Sequence, residues 1–174
     1  MMKSLFLLFI NTIFLWTGWQ EYTSLEGRFR ILTPGEITQK VDTVSTEVGT
    51  IAYHTFYYQS PAKDADNLFY MVSYCDYPEG TFPADSTALL EEFFATTIEA
   101  ATTAVDGKMI YTTDIQLENH PGKFWRINYL DDKAVIKTKA FMVGDRYYAV
   151  QVISYQEGNI NEAANRFFDS FHLL

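Results

Sequence analysis

The chain has 174 residues, 48% of them hydrophobic and 20% charged, which supports one globular domain and excludes a disordered or low-complexity polymer. Its 13 basic and 22 acidic residues leave a net charge of -9, so a phosphate backbone repels it and nucleic acid is excluded as a partner. A single cysteine, Cys75, excludes an internal disulfide framework.

Met1 to Ser4 carry one lysine, and Leu5 to Trp16 form an apolar run broken only by Asn11 and Thr12. A short positive start followed by an apolar centre is the layout of a secretory signal. The run stops at Gln20 and Glu21, short of the about 20 apolar residues a spanning helix needs. The competing reading is an uncleaved anchor. The expected division is a signal peptide over 1–18, cut between Thr17 and Tyr22, and one α+β domain over 19–174. The processed protein is then periplasmic or secreted, with no stable membrane span.

Gly27 to Leu32 alternates Phe29 and Ile31 against Arg28 and Arg30 and predicts a half-buried strand. Gln39 to Glu47, polar and β-branched, predicts an edge strand. Thr50 to Gln59 and Leu68 to Tyr77 are apolar on both faces, as strands in the middle of a covered sheet are. Asp85 or Ser86 can then cap a helix to about Val105, with Leu90, Phe93, Phe94, Ile98 and Ala101 on its buried stripe and Asp106-Gly107 as its stop. Four strands follow: Lys108 to Glu118, Lys123 to Leu130, Lys133 to Met142 and Arg146 to Tyr155. They are joined by turns at Asn119-His120-Pro121-Gly122, Asp131-Asp132 and Gly144-Asp145, short enough to force antiparallel neighbours. A closing helix from about Asn161 carries Ala163, Ala164, Phe167, Phe168 and Phe171 on one side. The expected fold is α+β: an antiparallel sheet of about six to eight strands sandwiched with two main helices.

Five segments follow one another in a telling order. They are Phe29-Arg30-Ile31 leading to Pro34; Val72-Ser73-Tyr74 followed by Asp76-Tyr77-Pro78; His120-Pro121-Gly122-Lys123; Arg146-Tyr147-Tyr148 with Val150 and Val152; and Arg166-Phe167-Phe168-Asp169-Ser170-Phe171. Together they resemble the opening strand, strand-to-helix junction, Pro-Gly hairpin, late core strand and closing segment of the PsbP-like fold family, with this chain as a small exported bacterial member. A branch of Ran-binding nuclear import factors shares that fold. The resemblance implies an antiparallel sheet between helices. It implies little about activity: plant members support photosystem II, the nuclear branch binds a small GTPase, and no residue set here imports either role.

The motifs of catalysis are missing. The closest glycines, Gly27 and Gly35, are eight residues apart, so no phosphate-cradling loop exists. His54, His120 and His172 are too far apart for a helical zinc pair, and no Gly-x-Ser-x-Gly elbow is present. Cys75, between Tyr74 and Asp76, reads as a small buried apolar side chain. Asp64, Asp66, Asp76 and Asp85 gather around the two loops before the first helix and are the candidates for a hard cation such as calcium, against a solvated acidic rim. Tyr57, Tyr58 and Tyr77 lie near strand ends and are the candidates for a recognition patch. No cofactor is expected. The leading expectation is an exported, non-catalytic binding or assembly module of the cell envelope whose partner is an unknown protein or small ligand. The alternatives are a hydrolase-like enzyme with a site assembled from dispersed Asp, Glu and His, and a small-ligand carrier with an apolar cavity between sheet and helix.

Overall fold

The computed structural model describes residues 18–46, 48–83 and 85–174. Residues 1–17, which hold nearly all of the signal peptide expected over 1–18, lie outside the described residues. Strands β1 (Gln20–Ser24), β2 (Phe29–Thr33), β3 (Thr38–Thr46), β4 (Gly49–Gln59) and β5 (Asn67–Asp76) precede helix α1 (Thr87–Ala104). Strands β6 (Lys108–Leu117), β7 (His120–Tyr129), β8 (Ala134–Val143) and β9 (Arg146–Tyr155) precede helix α2 (Glu162–Asp169) and the short β10 (His172–Leu173). Seven strands form one antiparallel sheet in the order β3-β4-β5-β9-β8-β7-β6, and β1-β2-β10 form a second, smaller one.

The large sheet is apolar on both faces because both are covered. Cys75, Trp125, Ile127 and Met142 face α1 and pack against Phe94 and Ile98. Phe56, Tyr70, Tyr148 and Val150 face the other way and pack against Phe29 and Ile31 of the small sheet and Phe167 and Phe168 of α2. The central position of β5, between β4 and β9, follows from its burial on both faces. The expected antiparallel sheet with two helices is therefore the fold observed.

Three local expectations change. The strand read at Gly27 to Leu32 does not join the main sheet. It pairs instead with β1 and β10, which pattern reading left out because one is polar and the other is two residues long. Tyr148 Oη ties the two sheets together by donating 2.6 Å to the Gly27 carbonyl. The turn read at Asn119 to Gly122 closes earlier, because Leu117 already pairs with His120 and Glu118 takes the positive φ of 55°. Pro121 and Gly122 are thus inside β7. Proline is tolerated there because the ladder to β8 starts only at Gly122. Finally, Ser86 is the N-cap residue of α1, but its side chain makes no capping bond.

The C-terminus of α1 shows how the sequence stops a helix. Asp106 adopts φ 48°, and its N–H and that of Gly107 reach back to the carbonyls of Thr103 and Thr102 at 3.1 and 2.9 Å, a Schellman closure. The glycine serves a second need. A Cβ at 107 would lie 2.6 Å from Ile127 Cγ2 and 2.9 Å from the Asn128 carbonyl. Helix α2 begins at Asn161, whose Oδ1 accepts from Ala164 N at 2.7 Å and from Asn67 Nδ2 at 2.8 Å. Asn161 Nδ2 returns a bond of 3.0 Å to Asn67 Oδ1, so one reciprocal amide pair docks α2 on the start of β5.

Candidate functional site

Besides two recesses whose charges pair off, Lys123 with Glu91 and Asp114 and Lys139 with Asp169, two others gather chemistry-bearing side chains. The first is an open polar recess of about 510 Å³ at the ends of β5 and β9, where Arg28, Asp76, Glu118, His120, Asp145 and Arg146 meet. Three of these, Asp76, Asp145 and Arg146, are already engaged. Arg146 grips both Asp76 oxygens at 2.5 and 2.7 Å and donates to the Glu26 carbonyl at 2.9 Å, lying 4.6 Å over the Tyr74 ring. The fork with Asp76 raises the guanidinium pKa further above its already high ordinary value, against the opposing effect of burial. Asp145 accepts from the N–H groups of Gly80 and Phe82, both at 2.8 Å, and so holds the loop before α1. Among the described residues no histidine forms an ion pair with a carboxylate.

The second recess is an uncharged cleft of about 230 Å³ between α1 and the sheet. Its floor follows from strand register. Tyr53 of β4 sits opposite Cys75 of β5, and Cys75 opposite Tyr147 of β9, so one row of polar-tipped side chains crosses three strands. Trp125 and Gln151 extend the floor, and Phe93 and Thr97 of α1 form one wall. The other wall is the tip of the β3–β4 hairpin, bearing Val44 and Ile51. Residues 49–52 pair with β3 but not with β5, so this tip projects past the main sheet as an arm.

No ionisable group of this cleft carries charge at neutral pH. Burial pushes the Cys75 thiol up to about 12, with the neighbouring Asp76 adding to it. Burial likewise raises Tyr77 to about 12, with Cys75 next in effect, and raises Tyr53 and Tyr147. A thiol so placed is a packing group rather than a nucleophile. Trp125, 1% exposed, carries an indole N–H with no hydrogen-bond partner among the described residues. Gln151 donates its amide Nε2 to Thr138 Oγ1 at 3.0 Å, and its oxygen makes no bond to the indole. A buried donor left without an acceptor is rare and asks for one.

The sequence-derived candidates fall in different places. Tyr57 and Tyr58 are successive residues of β4 and point to opposite faces, Tyr57 toward Phe69 and Tyr58 over Gly35 and beside Tyr70. Tyr77 stands past the far end of β5, packed edge-on against Phe82 and Phe93 at the cleft. The three tyrosines thus form no common patch, and of the three Tyr77 is the one that lines these two recesses. Asp64, Asp66 and Asp85 are exposed, while Asp76 is held by Arg146. Asp66 and Asp76 bracket the whole of β5, roughly 30 Å apart at the rise of an extended strand, so the four aspartates do not converge. Among the described residues no group of three His, Cys, Asp or Glu side chains is placed to hold a metal ion. His54 stacks on Tyr74 at 4.5 Å, His120 lines the polar recess and His172 is exposed in β10. Tyr53, Tyr147 and Trp125 were not singled out by the sequence. They line the cleft only through strand pairing, which no local pattern encodes.

No family model and no curated protein matches the chain. Among solved structures, the solution structure of cyanobacterial PsbP (CyanoP) from Synechocystis sp. PCC 6803 is similar. It matches with a TM-score of 0.58 and 10% sequence identity over 91% of this chain and 94% of that one. At that identity the likeness establishes the fold alone. The chain has a PsbP-like fold, as its scattered segments implied.

Proposed function

We propose that this chain is a non-catalytic binding module working outside the cytoplasm, and that its α1-side cleft holds a small uncharged molecule with a hydrogen-bond acceptor. One observation carries the reading: Asp76, Asp145 and Arg146 of the polar recess are tied into structural bonds, whereas the cleft is lined by neutral hydroxyl and thiol groups and by Trp125, whose indole donor has no partner among the described residues. General acid–base or nucleophilic chemistry needs a free, tuned group within reach of a substrate. A donor-rich, charge-free cleft instead suits a neutral carbonyl, ether or alcohol beside an apolar ring or chain. The extracytoplasmic setting rests on the charged start and apolar run of residues 1–16.

Three probes of one shape test the cleft: acetophenone, which has a carbonyl acceptor; ethylbenzene, which lacks it; and benzoate, which adds a charge. Acetophenone should shift the Trp125 indole N–H resonance, assigned by its loss in Trp125→Phe. Ethylbenzene should bind about tenfold more weakly and benzoate more weakly still, a factor worth about 1.4 kcal/mol per decade. An indole resonance indifferent to all three would refute the ligand class. Recovery of the chain from the cytoplasm with Met1 intact would refute export. Hydrolysis of chromogenic esters or phosphates, lost in His120→Gln, would refute a non-catalytic role.

A further inference from the structure

The main sheet has two edges, and they differ. Edge strand β6 is irregular: its register with β7 shifts between Met109 and Tyr111, and its Asp114 is bonded to Lys123 of β7. A bulge of this kind twists an edge away from new partners. Among the described residues, edge strand β3 has no such protection. It pairs with β4 over Thr38 to Thr46 in one unbroken register, contains no proline, and eight of its nine residues are exposed. Its one lysine and one aspartate, Lys40 and Asp42, bridge each other at 2.8 Å on the same face. The edge is therefore regular, rich in threonine and valine, and without net charge, which is the profile of a strand that accepts another strand.

From this edge we propose that the occupant is a second copy of the chain, its β3 laid antiparallel against the first about a two-fold axis at Val41. A two-fold axis perpendicular to the sheet keeps each face on its own side, so residues opposite one another share parity. Four registers near the strand's middle are then open, with the axis at residue 40, 41, 42 or 43. An axis at residue 40 sets Lys40 against its own copy, and an axis at residue 42 sets Asp42 against its own copy. Only the axis at residue 41 puts Lys40 opposite Asp42 of the second copy, twice by symmetry; like charges directly opposite disfavour the axes at 40 and 42, and the axis at 43 sets Lys40 against Thr46 and Asp42 against Val44, with no attraction across the seam. The same axis places the two Val41 side chains together. That side chain is 60% exposed in the single chain, and the pairing covers it. Residues 38–44 of each copy face one another, giving a continuous sheet across the pair. This assembly does not depend on the occupant of the cleft.

Sedimentation equilibrium of the purified protein over about 10 µM to 1 mM reads the association. The unmodified chain should dimerise reversibly. Lys40→Asp and Asp42→Lys, both at exposed positions, should each weaken the dimer about tenfold by setting like charges opposite. Two arms separate pairing from a general effect on β3. The double exchange Lys40→Asp with Asp42→Lys should restore the dimer. An equimolar mixture of the two single variants should form a heterodimer, because every cross-edge pair is then opposite in sign. An unmodified chain that stays monomeric to the top of the range would overturn the proposal. So would single variants that dimerise as well as the unmodified chain, or a mixture that fails to associate.

Discussion

Replacing Arg146 by methionine tests how the two sheets are joined at the polar recess. Arg146 opens β9 with a side chain only 15% exposed, and it holds three groups: Asp76 at the end of β5, the Glu26 carbonyl in the β1–β2 turn, and the Tyr74 ring beneath it. The fork to Asp76 is bidentate, but the carboxylate is 56% exposed, so screening limits it to about 1 kcal/mol. The bond to Glu26 and the guanidinium–ring contact add about 1 and about 0.5 kcal/mol. Arg146→Met should therefore destabilise the protein by about 2–3 kcal/mol, or about 5–10 °C in Tm for a domain of this size. Urea denaturation of Arg146→Met, Asp76→Asn and the double variant gives the coupling between the two residues, expected at about 1 kcal/mol. A loss below about 0.5 kcal/mol for Arg146→Met, with no coupling, would mean that the recess is ornamental to the fold and its charges are free for chemistry.

Three other measurements bear on the core and the cleft. Phe29→Ala removes a side chain with no exposed surface that touches the rings of Tyr22, Phe56, Tyr148 and Phe171; calorimetry should show a loss of about 3–5 kcal/mol. Asn161→Ala deletes the α2 cap and its amide pairing with Asn67; a loss of about 2 kcal/mol is expected, with early hydrogen exchange across residues 162–169. The Cys75 thiol has a folded pKa of about 12 against 9.0 when free. Its contribution is therefore complete below pH 9 and is lost as pH rises toward 12. Stability should fall by about 1.4 kcal/mol per pH unit from this group in that window. The fall should be shallower in Cys75→Ala, and equal slopes in the two proteins would contradict a buried neutral thiol.

The elements were legible wherever one physical signal dominated. The stripe Leu90, Phe93, Phe94, Ile98 located α1, and the Asp106-Gly107 stop ended it within a residue. Two-sided apolar runs put Leu68 to Tyr77 in the middle of a covered sheet, where β5 lies. Strand β1 escaped because Gln20 to Ser24 has no apolar alternation, and its place is fixed by pairing with β2. The hairpin at His120 was displaced because Pro and Gly signal a turn by local preference, whereas Pro121 needs only the absence of a ladder partner on one side. Both misses have one cause: tertiary pairing overrode a local propensity.

The candidate site was less legible for a related reason. Tyr53, Cys75 and Tyr147 belong to three strands far apart in sequence, and each reads alone as one more core side chain. Register makes them a row, and the arm of β3 and β4 turns the row into a cleft. The aspartates failed as a group for the opposite reason. They cluster in sequence, but Asp66 and Asp76 are separated by the full extended length of β5, and distance along a strand converts directly into distance in space. On a sheet of this kind, residues close in sequence are carried apart while residues in register are brought together. Chemistry on such a fold is therefore encoded across strands, in the same pairing that leaves β3 regular and open at its outer edge.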